Sequence, residues 1–310
     1  MKMFVLNPDP YLLPAFRISP FTTQDITINE NLPGDSSVDR YFDQRFGKGK
    51  YQYTLNGREA INIALRHYQL KKEDLVTILT TSGNFYISRC VTDEIEKFCK
   101  WSRQIEDRTK VILVNHEFGF PYKSTGKLKE LNIPIIEDCA HSFFSEDEKG
   151  EIGTTGDFCI YSFPKMFSLQ IGGLLVSNFD AEGAKSSQIN IMQLRYIKSV
   201  LSHQITSRFQ IISQRIENYN YLKEKFETTG FSERFQIEPG IVPGVFMFRA
   251  NENKIELQKL KEFFYDHGIQ CSVFYGEESF FIPVHQNLTS TDCEYFITVF
   301  KKFLMNYSND

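Results

Sequence analysis

Short apolar runs separated by stretches of helical period recur from about residue 51 to residue 177. Leu75 to Leu79, Val111-Ile112-Leu113-Val114-Asn115, Ile133 to Ile136, Phe158 to Ser162 and Leu174 to Ser177 are brief and apolar at successive positions. Strands apolar on both faces predict a largely parallel sheet covered by helices on each side. Between them, the small polar turn Asn56-Gly57-Arg58-Glu59-Ala60 opens a helix carrying Ile61, Ile63, Ala64, Leu65 and Tyr68. Val91 to Trp101 reads as an amphipathic helix and Lys127 to Leu131 as a short one.

From about Ser187 the pattern changes to a mostly helical run reaching Phe226, including Gln204 to Ile212 and Ile216 to Phe226. Val245 to Arg249 and Ile269 to Tyr275 then read as strands, Lys254 to His267 and Cys293 to Met305 as helices. Residues 1–50 are expected to be an irregular arm, given prolines at 8, 10, 14, 20 and 33 and the turn-rich stretch Asn31 to Ser37. The expectation is therefore a three-layer α/β fold: an arm at 1–50, a large domain at 51–186, and long helices with a small α/β domain at 187–310. No internal repeat or low-complexity segment interrupts it.

Composition narrows the function classes. A chain of 310 residues can bury a large core. Its 35 basic and 39 acidic residues leave a charge of −4 with the signs interspersed. That gives no electrostatic support to a nucleic-acid or membrane-surface role. No run approaches the roughly 20 apolar residues that span a bilayer. Asn7, Asp9 and two prolines break the opening apolar stretch too early for a signal peptide, so a cytoplasmic protein is expected. The cysteines at 90, 99, 139, 159, 271 and 293 form no C-x-x-C pair and read as reduced core thiols.

The chemistry concentrates in one stretch. Asp138 follows the apolar Ile133-Pro134-Ile135-Ile136, and Lys165 lies between a strand and the pair Gly172-Gly173. A carboxylate at a strand end can keep a pyridine nitrogen protonated, and a partly desolvated lysine can form a Schiff base with an aldehyde. Together they read as parts of a pyridoxal-phosphate site. Taken singly, Asp138 could equally cap the turn Cys139-Ala140-His141, and Lys165 could be a surface lysine.

Ile135 to Ser142, Gly153, Gly156-Asp157, Tyr161-Ser162-Phe163, Lys165 and Gly172-Gly173, in that order and spacing, resemble the DegT/StrS-type sugar aminotransferases, members of the fold-type I pyridoxal-phosphate enzymes. The resemblance covers about residues 51–305 and implies that fold, with pyridoxal 5'-phosphate as cofactor. It makes Lys165 the Schiff-base lysine, places Asp138 and His141 at the cofactor ring, and puts Asn56, Gly57 and Arg58 at the phosphate. A helix start suits that anion, and Arg58 can add a bidentate contact. Tyr86 is the residue expected to stack on the ring, with Phe85 its near alternative. The loop Asn115 to Pro121 implies substrate contacts at His116 and Phe118, with a loop-ordering role the plainer reading of His116. Ile282 to Thr289 is similar to a closing Leu-Pro-x-His motif.

Two departures stand beside the match. Ser162, the expected phosphate hydroxyl, is three residues before the lysine rather than five, so the loop is two residues shorter. The family's Gly-x-Asn-x-Arg stretch, which reaches a neighbouring subunit, has only Gln193-Leu194-Arg195 as a candidate. The function implied is transfer of an amino group from a donor such as glutamate to a keto group, plausibly on a nucleotide-linked keto-deoxysugar. A homodimer with sites at its interface is implied too. A dehydratase variant of the family replaces the lysine by histidine, which Lys165 argues against. The alternative is a non-catalytic relative that binds a sugar or a protein partner.

Overall fold

The computed structural model describes residues 14–150, 152–179, 187–250 and 255–307. They form two compact units, the larger comprising Phe21–Arg208 with Pro239–Val242. Its elements run α1 (Gln24–Glu30), α2 (Val38–Phe46), β1 (Tyr51–Thr54), α3 (Gly57–His67), β2 (Leu75–Thr80), α4 (Arg89–Glu96), β3 (Lys100–Ser102), β4 (Thr109–Asn115), α5 (Thr125–Leu128), β5 (Ile135–Asp138), β6 (Phe158–Ser162), β7 (Gly173–Ser177) and α6 (Ile191–Thr206). The seven strands make one sheet in the order β1-β7-β6-β5-β4-β2-β3. Strands β6, β5, β4, β2 and β3 are parallel, while β7 runs antiparallel to both neighbours. This is the expected mostly parallel three-layer α/β fold.

The apolar strands are buried for the reason their pattern gave. Val76, Ile78, Val111, Leu113, Ile136, Phe158 and Ile160 point to one face, where they meet Ala60, Ile61, Ala64 and Leu65 of α3 and Val91 and Ile95 of α4. Ile112, Val114 and Ile135 point to the other, against Leu128 of α5.

The strand–helix alternation was legible; several edges were not. The helix expected over Val91 to Trp101 ends at Glu96, because Phe98 and Cys99 turn back onto the Ile95 carbonyl and Lys100 donates to Asp74, starting edge strand β3. The stretch 21–50, expected to be irregular, contains α1 and α2. Phe42 of α2 is fully buried and packs its ring against Tyr51, Tyr53, Phe143 and Phe163, so tertiary burial supplies what local periodicity did not show. Residues 1–13 of the expected arm lie outside the described residues.

The second unit contains α7 from Phe209 onward (helix Arg208–Glu227), β8 (Val245–Arg249), α8 (Leu257–Asp266), β9 (Ser272–Phe274), β10 (Ser279–Pro283) and α9 (Ser290–Tyr307). Its sheet is antiparallel, in the order β8-β10-β9. Strand β10 went unread in the sequence. Arg215 of α7 is completely buried, donating to Gln286 Oε1 at 2.8 Å and the Pro243 carbonyl at 3.2 Å, and burial lowers its pKa to about 9. Beside it, burial and the Arg215 charge push His285 down to about 3, so this histidine of the closing motif is a neutral packing element. Among the described residues no helix is long and apolar enough to cross a membrane.

Gly173 is where three segments of the larger unit converge, since β7 pairs with β1 through Thr54 and with β6 through Ser162 at this residue. A Cβ here would lie 2.7 Å from the Tyr161 carbonyl oxygen and 2.9 Å from the Asn56 carbonyl carbon, both backbone atoms that cannot swing aside. Gly173→Ala is expected to destabilise the chain by about 2–3 kcal/mol in urea unfolding. An unchanged midpoint would contradict this close approach.

Candidate active site

Thr80, Asn115, Asp138 and Ser162 are the last residues of parallel strands β2, β4, β5 and β6, so their side chains gather at one edge of the sheet. The C-terminal edge of a parallel sheet is where such folds bind ligands. Asp138 is buried, accepting from Asn115 Nδ2 at 2.8 Å and the Ala140 N–H at 3.0 Å. Burial nevertheless pushes its carboxyl above the ordinary 3.8, with those two donors, His116 and the Lys165 ammonium pulling the other way. Asp138 therefore makes the Ala140 contact of a turn-capping residue and also feels the Lys165 charge.

Lys165 closes a single 3-10 turn, Phe163–Lys165, that carries Pro164 near its start and is held by Met166 and Phe167 N–H groups donating to the Phe163 carbonyl. Phe163 and Phe167 anchor the turn in a pile of rings with Phe42 and Phe143, at centroid separations of 4.9 to 6.2 Å. The lysine retains some solvent contact, but the atoms around its ammonium desolvate it and lower its pKa; the Asp138 carboxylate acts in the opposite sense. Near neutral pH a larger share of this amine is unprotonated than in an ordinary lysine.

The α3 start is built as a helix cap. Asn56 Oδ1 accepts the Glu59 N–H at 3.0 Å, and Glu59 in turn accepts the Leu55 N–H at 2.5 Å. Gly57 lets this turn lie against the lysine loop, since a Cβ there would be 3.3 Å from Ser162 Cβ. Arg58 is exposed on the first helical turn. The shortened loop thus still brings Ser162 to the Asn56-Gly57 turn.

Of the expected aromatic residues, Tyr86 faces the site side and Phe85 does not. Tyr86 stacks with Phe118 at 6.4 Å and 29°, and Phe118 meets His141 at 5.3 Å. Phe85 is 64% exposed and turns toward Trp101. Phe118 has a left-handed backbone, φ 53°, unusual for a bulky residue and a cost the surrounding bonds must hold. Those bonds run from the Ser82 N–H to Glu117 Oε2 at 2.7 Å and from the Glu117 N–H to Thr81 Oγ1 at 3.0 Å.

His116 is placed beneath this wall rather than on it. It is 2% exposed; its Nδ1 accepts the Tyr122 N–H, so the proton sits on Nε2 and is donated to Glu137 at 3.0 Å. Both ring nitrogens are thus engaged within the protein, one by the loop that follows and one by β5. Glu137 itself was missed. Fully buried, its carboxylate also accepts the N–H groups of Gly153, Thr155 and Gly156 at 2.7 to 3.0 Å. The signal was present: two successive acids ending an apolar strand must point to opposite faces. Cys139 lies within 4.8 Å of these His116 and Glu137 ligand-type atoms, but the two spend them on each other and the backbone. Gln193 and Arg195 lie on α6, Gln193 in a capping box with Asn190 and Arg195 exposed beside Gly34.

An anion-receiving helix start, a carboxylate at a strand end, a lysine with a depressed pKa and an aromatic wall are the donor set that pyridoxal phosphate needs, so these residues fit that group. The fold is of the fold-type I kind. Residues 99–196 match the DegT/DnrJ/EryC1/StrS aminotransferase family. That match covers 98 of the 310 residues, about a third of the chain.

A Micromonospora echinospora protein provisionally named an L-glutamine:3-amino-2,3-dideoxy-scyllo-inosose aminotransferase is 30% identical over 169 residues, 47% of this chain and 40% of that protein. The matched stretch thus spans about two fifths of that relative's length. Among solved structures, the aminotransferase TlmJ from Streptoalloteichus hindustanus aligns with a TM-score of 0.74 at 16% identity, covering 94% of this chain and 99% of that one. The apo-form of Spr1654 from Streptococcus pneumoniae, provisionally named a sugar aminotransferase, aligns at 0.71 and 15%, covering 98% and 100%. At these identities the structural likeness is one of fold.

The raised pKa of Asp138 fixes a pH dependence. A carboxyl whose folded value lies above its unfolded 3.8 contributes most stability below about pH 3.8, and that contribution is lost as pH rises through the folded value. Asp138→Asn carries no such contribution. Urea unfolding of the cofactor-free chain is therefore expected to favour the variant increasingly, relative to wild type, from about pH 4 to about pH 7. A difference that stays constant over that range would contradict a buried, poorly solvated carboxylate.

Proposed function

We propose that this chain is a pyridoxal-phosphate-dependent aminotransferase acting on a sugar-type substrate, moving an amino group from an amino acid such as glutamate to a keto group. The observation that carries the reading is the placement of Asp138 at the end of β5 and of Lys165 in the turn that follows the neighbouring strand β6, near enough for each charge to act on the other, with burial lowering the lysine pKa. The family match supports the reaction class. The provisional name of the Micromonospora relative supports glutamine as a further candidate donor. The pneumococcal neighbour has also been solved in pyridoxal- and pyridoxamine-phosphate forms, which supports the cofactor.

Bound here, pyridoxal phosphate supplies an aldehyde and an electron-withdrawing ring. Asp138 would hold the ring nitrogen, with its second contact to the Ala140 N–H keeping the carboxylate oriented. Asn56, Gly57, Arg58 and Ser162 would receive the phosphate, Tyr86 would cover one face of the ring, and His141 would lie near the ring hydroxyl. The Lys165 Nζ is the base that would accept the proton from the substrate α-carbon and deliver it on the cofactor side. Phe118 would line the substrate side, and a nucleotide-linked keto-deoxysugar is the acceptor we favour. A homodimer with sites at the interface and a cytoplasmic setting complete the proposal.

Purified protein given pyridoxal phosphate is expected to absorb in the visible and, after borohydride reduction and peptide mapping, to carry a pyridoxyl group on the Lys165 peptide. Lys165→Ala should carry no label and lose about a thousandfold or more of any transamination from glutamate. A folded wild type that takes no label at Lys165 would sink the enzyme reading and leave the non-catalytic binding protein in its place.

A further inference from the structure

The wall residue Tyr86 and its neighbour Phe85 point in opposite directions, and the structure shows what makes the chain part there. Arg103, half-buried just after β3, donates from Nη2 to Thr80 Oγ1 at 3.0 Å and to the Asn84 carbonyl. Thr80 Oγ1 donates to the same carbonyl at 3.0 Å. The guanidinium also lies 5.8 Å from the centre of the Phe85 ring, which it covers from the outside. On the far side of the loop, Glu117 holds the Ser82 N–H, one residue before Phe118. Within the loop the Gly83, Asn84 and Phe85 N–H groups are taken by Thr80 O, Ser82 Oγ and Asn84 Oδ1.

We propose that Arg103 is a positioning residue for the aromatic wall: it pins Thr80 to Asn84 so that Phe85 turns outward onto Trp101 and Tyr86 inward onto Phe118. The inference rests on the cofactor reading only for what Tyr86 would face. Three geometric features support it. The two N–H groups of the planar Nη2 meet two acceptors, Thr80 Oγ1 and Asn84 O, that lie at the two ends of the loop. The same group stacks on the one side chain that must be kept out of the site. Burial also disfavours the Arg103 charge, lowering its pKa, with the Glu117 carboxylate offsetting part of that cost, so the position is maintained against solvation.

The tests use the full chain. In cofactor-free protein, amides 83–86 of Arg103→Met are expected to exchange hydrogen at least tenfold faster than in wild type, with β4 amides unchanged; Arg103→Lys, which keeps charge but not the reach and planar geometry of Nη2, should lie between. Equal exchange at 83–86 in a folded variant overturns the clamp, and the lysine variant supplies that answer should the methionine variant fail to fold. The second arm reads pyridoxal-phosphate affinity by quenching of Trp101, the only tryptophan in the chain. Arg103→Met is expected to weaken binding about tenfold, and to weaken it no further once Tyr86→Ala is present. Additive losses would show that Arg103 does not act through Tyr86. A wild type that binds no pyridoxal phosphate would defeat the proposed function, while the exchange arm would still decide the clamp.

Discussion

A carboxylate taken wholly out of water must find donors for both oxygens, and Glu137 finds four. Three are main-chain N–H groups of the turn before β6, and the fourth is the His116 ring after β4. One side chain therefore ties the segments on either side of β5 to β5 itself. The next residue is Asp138, so its direction is set by that fixed backbone rather than by its own contacts alone. The glycines at 153 and 156 follow from the same constraint. Gly153 has φ 74°, and a Cβ at Gly156 would lie 2.8 Å from the Ile135 carbonyl, so larger residues would push the turn off the carboxylate.

Beyond that carboxylate the edge is organised by aromatic packing. Phe42, Phe143, Phe163 and Phe167 are all 1% exposed or less, and two of them flank Lys165 in sequence. A short loop with both flanks pinned in a dry core has few alternative conformations, which removes ordering cost from any ligand that meets its lysine. The wall made by Tyr86, Phe118 and His141 is arranged differently. It rests on polar clamps at Thr81, Glu117 and Arg103, and of its rings Phe118 is buried while Tyr86 and His141 are only partly so.

Sequence reading reached the sheet because burial on both faces leaves a plain mark, runs such as Val111 to Val114 with no polar alternation. It reached Asp138, Lys165 and the α3 start because each sits at a strand or helix boundary with a fixed offset from the next. It missed β1, β3 and β10, which are short, two of them strands at a sheet edge, and whose residues alternate too briefly to show a period. It missed α2 because Phe42 is stabilised by rings up to 121 residues away, Phe163 among them. Glu137 left a mark only in its position, an acid ending an apolar strand; its partners, like those of Arg103, lie on other segments, and composition carries no trace of such bonds.

The sheet order has a consequence for how the protein comes into being. Strand β1 lies at the edge and pairs with β7 alone, joining Tyr51–Thr54 to Gly173–Ser177. Contacts so far apart in the chain close late, because a large loop must be ordered before they form. During synthesis the segment ending at Thr54 therefore emerges long before its partner strand exists. Until Ser177 has left the ribosome, that edge stays bare, and the turn at Asn56 cannot meet the loop bearing Lys165. The helix start and the lysine are thus brought together by a single late closure, so a nascent chain halted before that point would hold most of the sheet and none of the assembled edge.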